Sequence, residues 1–298
     1  MDGHSSEKTL ILYVFHEPCN NLDLFIKRGL VRSSHKRFIF ICNNVNIDLK
    51  KWDFIKDYEN VSVFIRPNVG HDFQGWNEAL HLPVTCLNYK MIYDREMPMS
   101  RDSGDLYLSN ETDLLPPVHT LFDKFIFINS TVAGPYLPLY VDKDWIDCFT
   151  SKFSKDVKMI GMSVNFKETD HCAFIYDTIN EQYGFRPSDH VHIQSMAYAL
   201  DKEGLNILLS YGLFKKRKQF PANKWVLICT AEIAMSSILR HEGKSLYSYL
   251  IGQGLIPCNM NKLTPNWWFV PGSHPLCETI FIKTNSPKTF IEKERYDT

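Results

Sequence analysis

Three features that would place this chain in a membrane, secreted or nucleic-acid-binding class are missing from its sequence. No run approaches the roughly 20 apolar residues of a membrane span, so we expect no span. The apolar stretch at residues 10–15 is too short for a secretory leader and follows charged residues, which favours a cytoplasmic location. The net charge is only -1, so nothing global predicts binding to nucleic acid or to an anionic membrane.

The cysteines also lack the spacing of a paired or metal-binding set. They are scattered without a C-x-x-C motif, at Cys19, Cys42, Cys86, Cys148, Cys172, Cys229, Cys258 and Cys277. Such spacing is typical of reduced, mostly buried thiols in a cytosolic protein. It indicates neither a disulfide framework nor a zinc site.

The length and composition that are present fit a single enzyme-sized globular domain, with 298 residues of which 44% are hydrophobic and 22% charged. The first part alternates predicted strands (9–15, 37–42, 61–65) with predicted helices (20–29, 49–58, 73–80). This order indicates a parallel sheet with crossover helices, and therefore an α/β fold. The second part is more mixed, with predicted strands at 125–128, 157–164 and 190–200 and predicted helices at 145–153, 202–211 and 231–241.

A polar turn that contains glycine follows the predicted strand at 61–65. It begins at Asn68 and contains Gly70, Asp72 and Gly75. Ligands of open α/β sheets bind beyond the carboxyl ends of strands, and the two glycines would permit positive φ and close approach of a ligand. Asp72 is placed to cap the following helix and could also contact a ribose hydroxyl or a base N–H. The alternative is that Asp72 only caps the helix and that the glycines only form the turn.

A second polar turn follows the apolar strand at 125–128 and consists of Asn129, Ser130 and Thr131. These neutral donors and acceptors could hold a diphosphate or a sugar hydroxyl. The alternative is a turn that only satisfies the backbone groups at the end of the strand. Two such turns in one domain predict a single crevice with two walls.

The two turns resemble motifs of the GT-A glycosyltransferases, in particular capsular-polysaccharide, rhamnan-synthesis-like and large-algal-virus enzymes. Those enzymes have an Asn-x-Gly-x-Asp-x-x-Gly turn, here residues 68–75, and later a Phe-x-Asn-Ser-(Ser/Thr)-x-x-Gly-Pro turn, here residues 127–135. The resemblance implies a GT-A-like single domain. Its mostly parallel, Rossmann-like nucleotide-sugar half would span about 9–140, and its mixed acceptor half would span 141–298.

The resemblance also implies the activity and the roles of several residues. A monosaccharide would move from a nucleotide-diphosphate sugar to a hydroxyl of a glycan or glycoprotein, with inversion, as in polysaccharide biosynthesis. His16 and Glu17 would lie near the nucleobase, Asp72 near the nucleoside, and residues 129–131 at the donor sugar and diphosphate. Glu232 matches the acidic residue that removes the acceptor proton. The alternative for Glu232 is a helix-start residue that the helix dipole favours.

Two further candidates for acceptor contact are His192 and Gln194. With His190 they alternate along the predicted strand at 190–200 and resemble a row that contacts sugar. A metal site is the less favoured interpretation, since no carboxylate is spaced with them.

The sequence departs from the GT-A pattern at the position where many of those enzymes carry Asp-x-Asp. Here Asn129-Ser130-Thr131 stands instead, and such side chains bind Mn²⁺ or Mg²⁺ more weakly than carboxylates do. The sequence therefore leaves open whether the protein uses a metal cofactor. The diphosphate could hold the metal with Asn129 as a minor ligand. Alternatively, cations such as Arg66 or the basic run at 215–218 could replace the metal. The other interpretation of the basic run is a solvated loop.

Two other functions stay open from the sequence. A sugar nucleotidyltransferase typically has a glycine-rich loop bearing Arg or Lys after its first strand, whereas this chain has His16-Glu17-Pro18-Cys19 there. A catalytically silent glycan-binding or assembly subunit is favoured by the missing Asp-x-Asp. Hydrolysis of a nucleotide sugar would exclude the silent subunit.

Overall fold

The computed structural model describes residues 7–94, 106–108, 114–137, 141–165, 172–249, 254–256 and 280–284. The strands are β1 (Thr9–Phe15), β2 (Lys36–Cys42), β3 (Val61–Ile65), β4 (Met91–Tyr93), β5 (Leu106–Tyr107), β6 (Lys124–Asn129), β7 (Val132–Ala133), β8 (Val157–Gly161), β9 (Val164–Asn165), β10 (His192–Ile193), β11 (Ala197–Asp201), β12 (Ser245–Ser248), β13 (Gly254–Ile256) and β14 (Ile282–Lys283). The α-helices are α1 (Asn20–Gly29), α2 (His71–Leu80), α3 (Trp145–Thr150), α4 (Cys172–Tyr183), α5 (Lys202–Ser210), α6 (Lys224–Leu227) and α7 (Ala234–His241). Three short 3₁₀ helices lie at Leu49–Asp57, Val84–Asn88 and Val118–Leu121.

One ten-stranded sheet runs through both parts of the chain, in the order β13-β12-β8-β11-β6-β1-β2-β3-β4-β5. The strands β1 to β6 are mutually parallel, while β11 runs antiparallel to β6 and β8. β12 is parallel to β8, and β13 is antiparallel to β12. The predicted α/β fold, with a mostly parallel first part and a mixed second part, is confirmed.

The central strands are apolar throughout because helices cover both faces of the sheet. Every residue of β1 and β3 is buried, as is usual for parallel strands between two helical layers. On one face, side chains of β1 such as Val14 pack with Trp76 of α2 and with residues of α4, α5 and α7. On the other face, Tyr13 packs with Phe25 of α1 and Trp145 of α3.

The register of the sheet brings the two predicted turns to the same edge. In the parallel ladder, Phe15 of β1 pairs with Cys42 of β2, which pairs with Ile65 of β3. On the other side of β1, Val14 pairs with Asn129 of β6. The turns after β3 and β6 therefore both leave the carboxyl edge of the sheet.

Two predicted element boundaries were wrong near the site. Helix α2 begins at His71 after Gly70, so Asp72 lies inside its first turn and does not cap it. Gly70 takes a left-handed φ of 69° at the N-cap position, which a residue without Cβ adopts readily. The strand predicted at 190–200 is interrupted, because β10 pairs with β9 whereas β11 joins the main sheet.

The predicted helix at 231–241 begins earlier in the structure. It starts with α6, continues through a π-helical turn at Ile228–Ile233, and ends with α7. Glu232 therefore lies mid-helix and not in a first turn, so the helix-dipole explanation for its presence is removed.

Two further findings concern membrane spans and disulfides. Among the helices that the structure describes, none is both long and apolar enough to cross a membrane. Within the described residues, the following cysteines are free thiols: Cys19, Cys42, Cys86, Cys148 and Cys229.

Candidate active site

A hydrogen bond joins the two polar turns at the carboxyl edge of the sheet. The Nδ2 of Asn129 donates to Oδ2 of Asp72 at 2.9 Å. The Oδ1 of the same amide accepts from the backbone N of Thr131 at 3.1 Å and from its hydroxyl at 2.5 Å. These contacts fix the orientation of the nearly buried Asn129 side chain and use one of the two carboxyl oxygens of Asp72.

The surroundings of Asp72 favour its protonated form. Burial raises the pKa of this carboxyl to about 6, and the charge of Glu232 acts in the same direction. The hydrogen bond from Asn129 and the charges of His71 and Lys224 oppose the rise only in part. A carboxyl with this pKa can donate as well as accept a hydrogen bond near neutral pH, which suits a ribose hydroxyl or a nucleobase edge.

The surroundings of Glu232 favour its ionised form, although its side chain is only 18% exposed. Burial opposes ionisation, but the hydrogen bond and charge of His192, the hydrogen bond of Ser195 and the charge of Lys283 outweigh it, so the pKa of Glu232 lies below its usual value. The Ser195 hydroxyl donates to Oε2 at 2.5 Å, and Nε2 of His192 lies 3.5 Å from Oε1.

The position of His192 differs from the predicted acceptor-contacting row. Its ring is buried, with Nδ1 2.7 Å from the carbonyl oxygen of His190 and Nε2 facing Glu232. A carbonyl can only accept, so Nδ1 carries a proton, and Nε2 donates to the carboxylate when the ring is doubly protonated. The described contacts of His192 therefore orient Glu232.

The helix that carries Glu232 is widened at this point by the π turn. Its Thr230 carbonyl accepts a hydrogen bond from the hydroxyl of Tyr183. Such turns are rare and occur frequently at functional sites. Nothing in the local sequence distinguishes this turn from an ordinary helix.

Tyr198 is fully buried and interacts electrostatically with both carboxylates. Its ring stacks on Phe127 with centroids 4.6 Å apart and meets Trp76 edge to face at 5.6 Å. Its buried hydroxyl has no hydrogen-bond partner among the described residues. Burial raises its pKa well above the usual range, and the charges of Glu232 and Asp72 raise it further. The backbone N of Asn129, the partner of Asp72, donates to the carbonyl of Met196 at 3.0 Å, and the neighbouring Ser195 holds Glu232, so the two carboxylates lie in one region.

Cationic side chains from distant parts of the chain border the crevice. Lys283 belongs to β14 and pairs with Val132 directly after the second turn. The backbone N of Thr284 donates to the Thr131 carbonyl at 3.0 Å, which ties this segment to the turn. Lys224 opens helix α6 and interacts electrostatically with Asp72. Sequence reasoning missed both lysines, because no local motif marks them.

His71 connects the first turn to the start of α6. Its Nε2 lies 3.1 Å from the carbonyl oxygen of Ala222. Its φ is 54°, a left-handed conformation that non-glycine residues rarely adopt. Strained residues of this kind cluster at binding and active sites, which agrees with the position of His71 beside Asp72.

Arg66 is a predicted diphosphate contact that the structure uses differently. It is buried, and its guanidinium donates to Glu78 at 2.5 Å, to Oδ1 of Asn43 at 2.7 Å and to the Val69 carbonyl at 2.8 Å. These contacts brace the first turn against helix α2. Two bonds to Glu78, one to Asn43 and one to Val69 engage four of the five N–H donors, so at most one donor is left for a ligand.

Gly75 was predicted to let a ligand approach the backbone, but it serves packing. A Cβ at this position would lie 3.1 Å from Cγ2 of Ile41 and 3.3 Å from Oδ1 of Asn43. Both neighbours belong to the sheet side of α2. Gly75 therefore lets the helix pack closely on β1 and β2.

Several predicted residues lie at the exposed rim of the crevice. His16, Glu17 and Asn68 are exposed at the ends of β1 and β3, and Nδ1 of His16 lies 2.7 Å from the Asn43 carbonyl oxygen. They are open to solvent and therefore accessible to a ligand.

Ser130 and Gln194 are partly exposed and take part in hydrogen bonds within the protein. The Ser130 carbonyl accepts from Nδ2 of Asn21 at 2.8 Å, and Oε1 of Gln194 accepts from the Ser163 hydroxyl at 2.7 Å. The hydroxyl of Ser130 and the amide nitrogen of Gln194 show no described partner, so each retains a group that could bind a ligand.

In the basic run at 215–218, Lys218 packs against aromatic rings. Its Nζ lies 5.3 Å from the ring centres of both Tyr183 and Phe220, and burial lowers its pKa to about 8. Lys215 and Arg217 are exposed. The expectation of a fully solvated run is thus correct for those two residues and wrong for Lys218.

The residues of the second turn do not fit a divalent metal. Within the described part of the chain, no group of three or more His, Cys, Asp or Glu side chains is placed to hold an ion. Both accepting positions of Asn129 Oδ1 are already used by Thr131. Metal ligation by Asn129 would require these hydrogen bonds to break.

Comparisons with known proteins add the following. No family model matches this chain, and no curated protein matches it. The apo structure of the bifunctional glycosyltransferase WbbM matches 80% of this chain and 38% of its own, with 10% identity and a TM-score of 0.36. Glucosyl-3-phosphoglycerate synthase from Mycobacterium tuberculosis, in complex with phosphoglyceric acid, matches 67% of this chain over 58% of its own length, with 13% identity and a TM-score of 0.30. The chain spans less than two thirds of either protein, and likenesses this distant carry no conclusion about activity.

Proposed function

We propose that this protein is a glycosyltransferase that moves a monosaccharide from a nucleotide-diphosphate sugar to a hydroxyl of a glycan or glycoprotein. The observation that carries the proposal is the pair of carboxylates, Asp72 and Glu232, on one crevice at the carboxyl edge of the sheet. Their environments move the two pKa values in opposite directions. Titratable groups separated in this way are typical of sites with divided roles, and this edge is where open α/β sheets bind ligands.

On the donor side, Asp72 binds the nucleoside and Asn129 holds Asp72 in place. The remaining carboxyl oxygen accepts from a hydroxyl or N–H of the nucleotide. Ser130 and Thr131 border the donor sugar, and His16 and Glu17 lie at the nucleobase end of the crevice.

Cationic groups of the protein neutralise the leaving diphosphate in this proposal. Lys224 interacts electrostatically with Asp72 and Lys283 with Glu232, and His71 lies beside Asp72. Preorganised cations placed where charge develops can stabilise a leaving diphosphate without a metal. We therefore expect activity that survives chelation at least in part.

On the acceptor side, Glu232 is the general base. It takes the proton of the acceptor hydroxyl as the oxygen attacks the anomeric carbon from the face opposite the diphosphate. The new carbon–oxygen bond forms while the bond to the diphosphate oxygen breaks, which inverts the anomeric centre. Ser195 and His192 keep the carboxylate ionised and oriented for this step.

The experiment is a thermal-shift panel of nucleoside diphosphates, with and without Mn²⁺. A diphosphate at 100 times its dissociation constant should stabilise the protein by about 2.7 kcal/mol. The stabilisation should persist without Mn²⁺ and should fall to about 1.4 kcal/mol or less in Asp72→Asn, because its affinity should be about tenfold or more weaker. Asp156→Asn is the matched control, because this exposed aspartate lies away from the crevice. If no diphosphate stabilises the wild type and no nucleotide sugar is hydrolysed, a glycan-binding protein without catalysis becomes the better account.

A further inference from the structure

A second cavity lies at the edge of the sheet opposite the candidate active site. It has a volume of about 600 Å³ and is bordered by the amino-terminal ends of β1, β2 and β3. The seven residues of β1, at about 3.3 Å each, separate it from the carboxyl edge by roughly 20 Å. Four cationic side chains and two carboxylates line it: Lys8, Arg32, Lys36, Arg37, Asp57 and Glu59.

Arg37 is the central group, because its charge is half-buried without a carboxylate partner in the described part of the chain. Its guanidinium donates to neutral acceptors, namely the Glu59 carbonyl at 2.8 Å, the Ser62 hydroxyl at 2.6 Å and the Leu87 carbonyl at 2.5 Å. Its Nε is enclosed and has no partner there. Burial lowers its pKa to about 10. A buried charge is costly unless it is paired, so an anion is the group that this arrangement lacks.

Neighbouring cations add to the positive charge around Arg37. The Arg32 guanidinium lies over the Tyr58 ring, 5.1 Å from its centre, and Lys8 is exposed at the start of β1. Burial and then the charge of Arg37 lower the pKa of Lys90, while Glu59 acts against this.

The remaining charges of the cavity do not cancel this excess. Lys36 pairs with Asp144 and Asp147 and is neutralised by them. The carboxylates of Asp57 and Glu59 show no described ion pair with Arg37. With Lys36 neutralised, the three cations Arg37, Arg32 and Lys8 outnumber the two carboxylates of the cavity by one.

We propose that this cavity binds a molecule that carries a phosphate group, with Arg37, Arg32 and Lys8 as the groups that hold it. The exposed guanidinium of Arg32 can match the oxygens of phosphate with paired N–H donors, whereas Arg37 mainly contributes its charge, since three of its donors are engaged and its Nε is enclosed. The apolar side of the cavity, formed by Leu121 and Phe122, leaves room for the part of the ligand beyond the phosphate. This site is separate from the proposed catalytic crevice and does not depend on it.

The test is isothermal titration with inorganic phosphate at low ionic strength. Arg37→Gln would remove three hydrogen bonds and could unfold the protein, so the exposed Lys8 and Arg32 are changed together to Gln. Because the double variant loses two cationic contacts, it should bind phosphate at least about tenfold more weakly or lose one site. The matched control is Lys152→Gln with Lys155→Gln, since both are exposed and Lys152 also lies over an aromatic ring.

Two comparisons separate this site from the crevice and from general charge effects. Lys224→Gln with Lys283→Gln should leave phosphate binding at the second cavity unchanged. Equal affinity and stoichiometry in the wild type and in the Lys8 and Arg32 variant would overturn the proposal. An equal loss in that variant and in the Lys152 and Lys155 control would overturn it as well.

A second experiment, with lipid vesicles, identifies whether the phosphate belongs to a lipid or to a soluble molecule. Sedimentation with vesicles that contain phosphatidic acid is compared between the wild type and the Lys8 and Arg32 variant. Co-sedimentation that depends on Lys8 and Arg32 assigns the phosphate to a lipid headgroup. If phosphate binds but vesicles do not, the ligand is a soluble phosphorylated molecule.

Discussion

Asp72 and Glu232 face the same crevice, but the structure surrounds them differently. Asp72 has one neutral hydrogen-bond donor, Asn129, and its pKa is raised to about 6. Glu232 has the hydroxyl of Ser195 and the ring of His192, and its pKa is lowered. The comparison shows how two carboxylates in one crevice acquire different chemistry from their partners. One is suited to bind hydroxyl or N–H groups, and the other to accept a proton.

The largest expected effect comes from removing the carboxylate of Glu232. Glu232→Gln keeps the shape but cannot accept the acceptor proton, so the turnover number should fall by about 10²–10⁴-fold. The measurement is initial rate at saturating donor and acceptor. Glu181→Gln, an exposed glutamate on α4, is the control and should leave turnover unchanged. A Glu232→Gln variant that keeps more than about a tenth of turnover would remove Glu232 from the mechanism.

A smaller loss should follow when the two crevice lysines are neutralised. Lys224→Gln with Lys283→Gln removes charge that we place at the diphosphate, and affinity for a nucleoside diphosphate should fall by about tenfold or more. Calorimetry with and without EDTA measures it. The Lys152 and Lys155 variant again serves as the control. If EDTA abolishes binding in the wild type and micromolar Mn²⁺ restores it, a metal site has been missed and the lysines are secondary.

The support of Glu232 by His192 should appear in the pH dependence. His192→Gln removes the ring whose hydrogen bond and charge lower the pKa of Glu232, so that pKa should rise. The base must be ionised to act, so the acidic limb of the pH–rate profile should move to higher pH, with a loss of about tenfold in turnover near neutral pH. A merely structural role would lower the rate at every pH without moving the limb. If the acidic limb does not move, His192 does not control the ionisation of Glu232.

The smallest expected effect concerns stability and Asp72. The folded state raises this pKa from 3.8 to about 6, so it binds more protons than the unfolded state between these values. The free energy of unfolding therefore falls as pH rises through that window, by about 1–3 kcal/mol. Asp72→Asn should remove this decline and be more stable than the wild type at pH 7. Urea unfolding at pH 4.5 and pH 7 tests it, and an equal decline in both proteins would contradict the raised pKa.

The two carboxylates also differ in how far the sequence predicts their surroundings. The strands before both turns are continuous apolar runs, and the parallel order places their carboxyl ends together, so a shared crevice around Asp72 and Asn129 could be predicted. The exact start of α2 could not, because Gly70 and His71 both take left-handed φ and move the cap away from Asp72.

The surroundings of Glu232 depend on contacts between residues that are distant in sequence. Ser195 lies 37 positions away from Glu232, and Lys283 reaches the crevice only because β14 pairs with β7. The π turn has no sequence signature, and the burial of Arg66 depends on Glu78 and Asn43 closing around it. Patterns of hydrophobicity and turn residues contain no information on such contacts.

In the proposed mechanism, Asp72 binds the donor and Glu232 acts on the acceptor. The most direct test of this division is the affinity of Asp72→Asn and of Glu232→Gln for a nucleotide sugar that the wild type binds, measured by calorimetry. Asp72→Asn should weaken donor binding by about tenfold or more, because the buried contact to the nucleoside is lost. Glu232→Gln should bind the donor within about twofold of the wild type, because the base faces the acceptor. Equal weakening in both variants, or unchanged binding in Asp72→Asn, would contradict the division of roles.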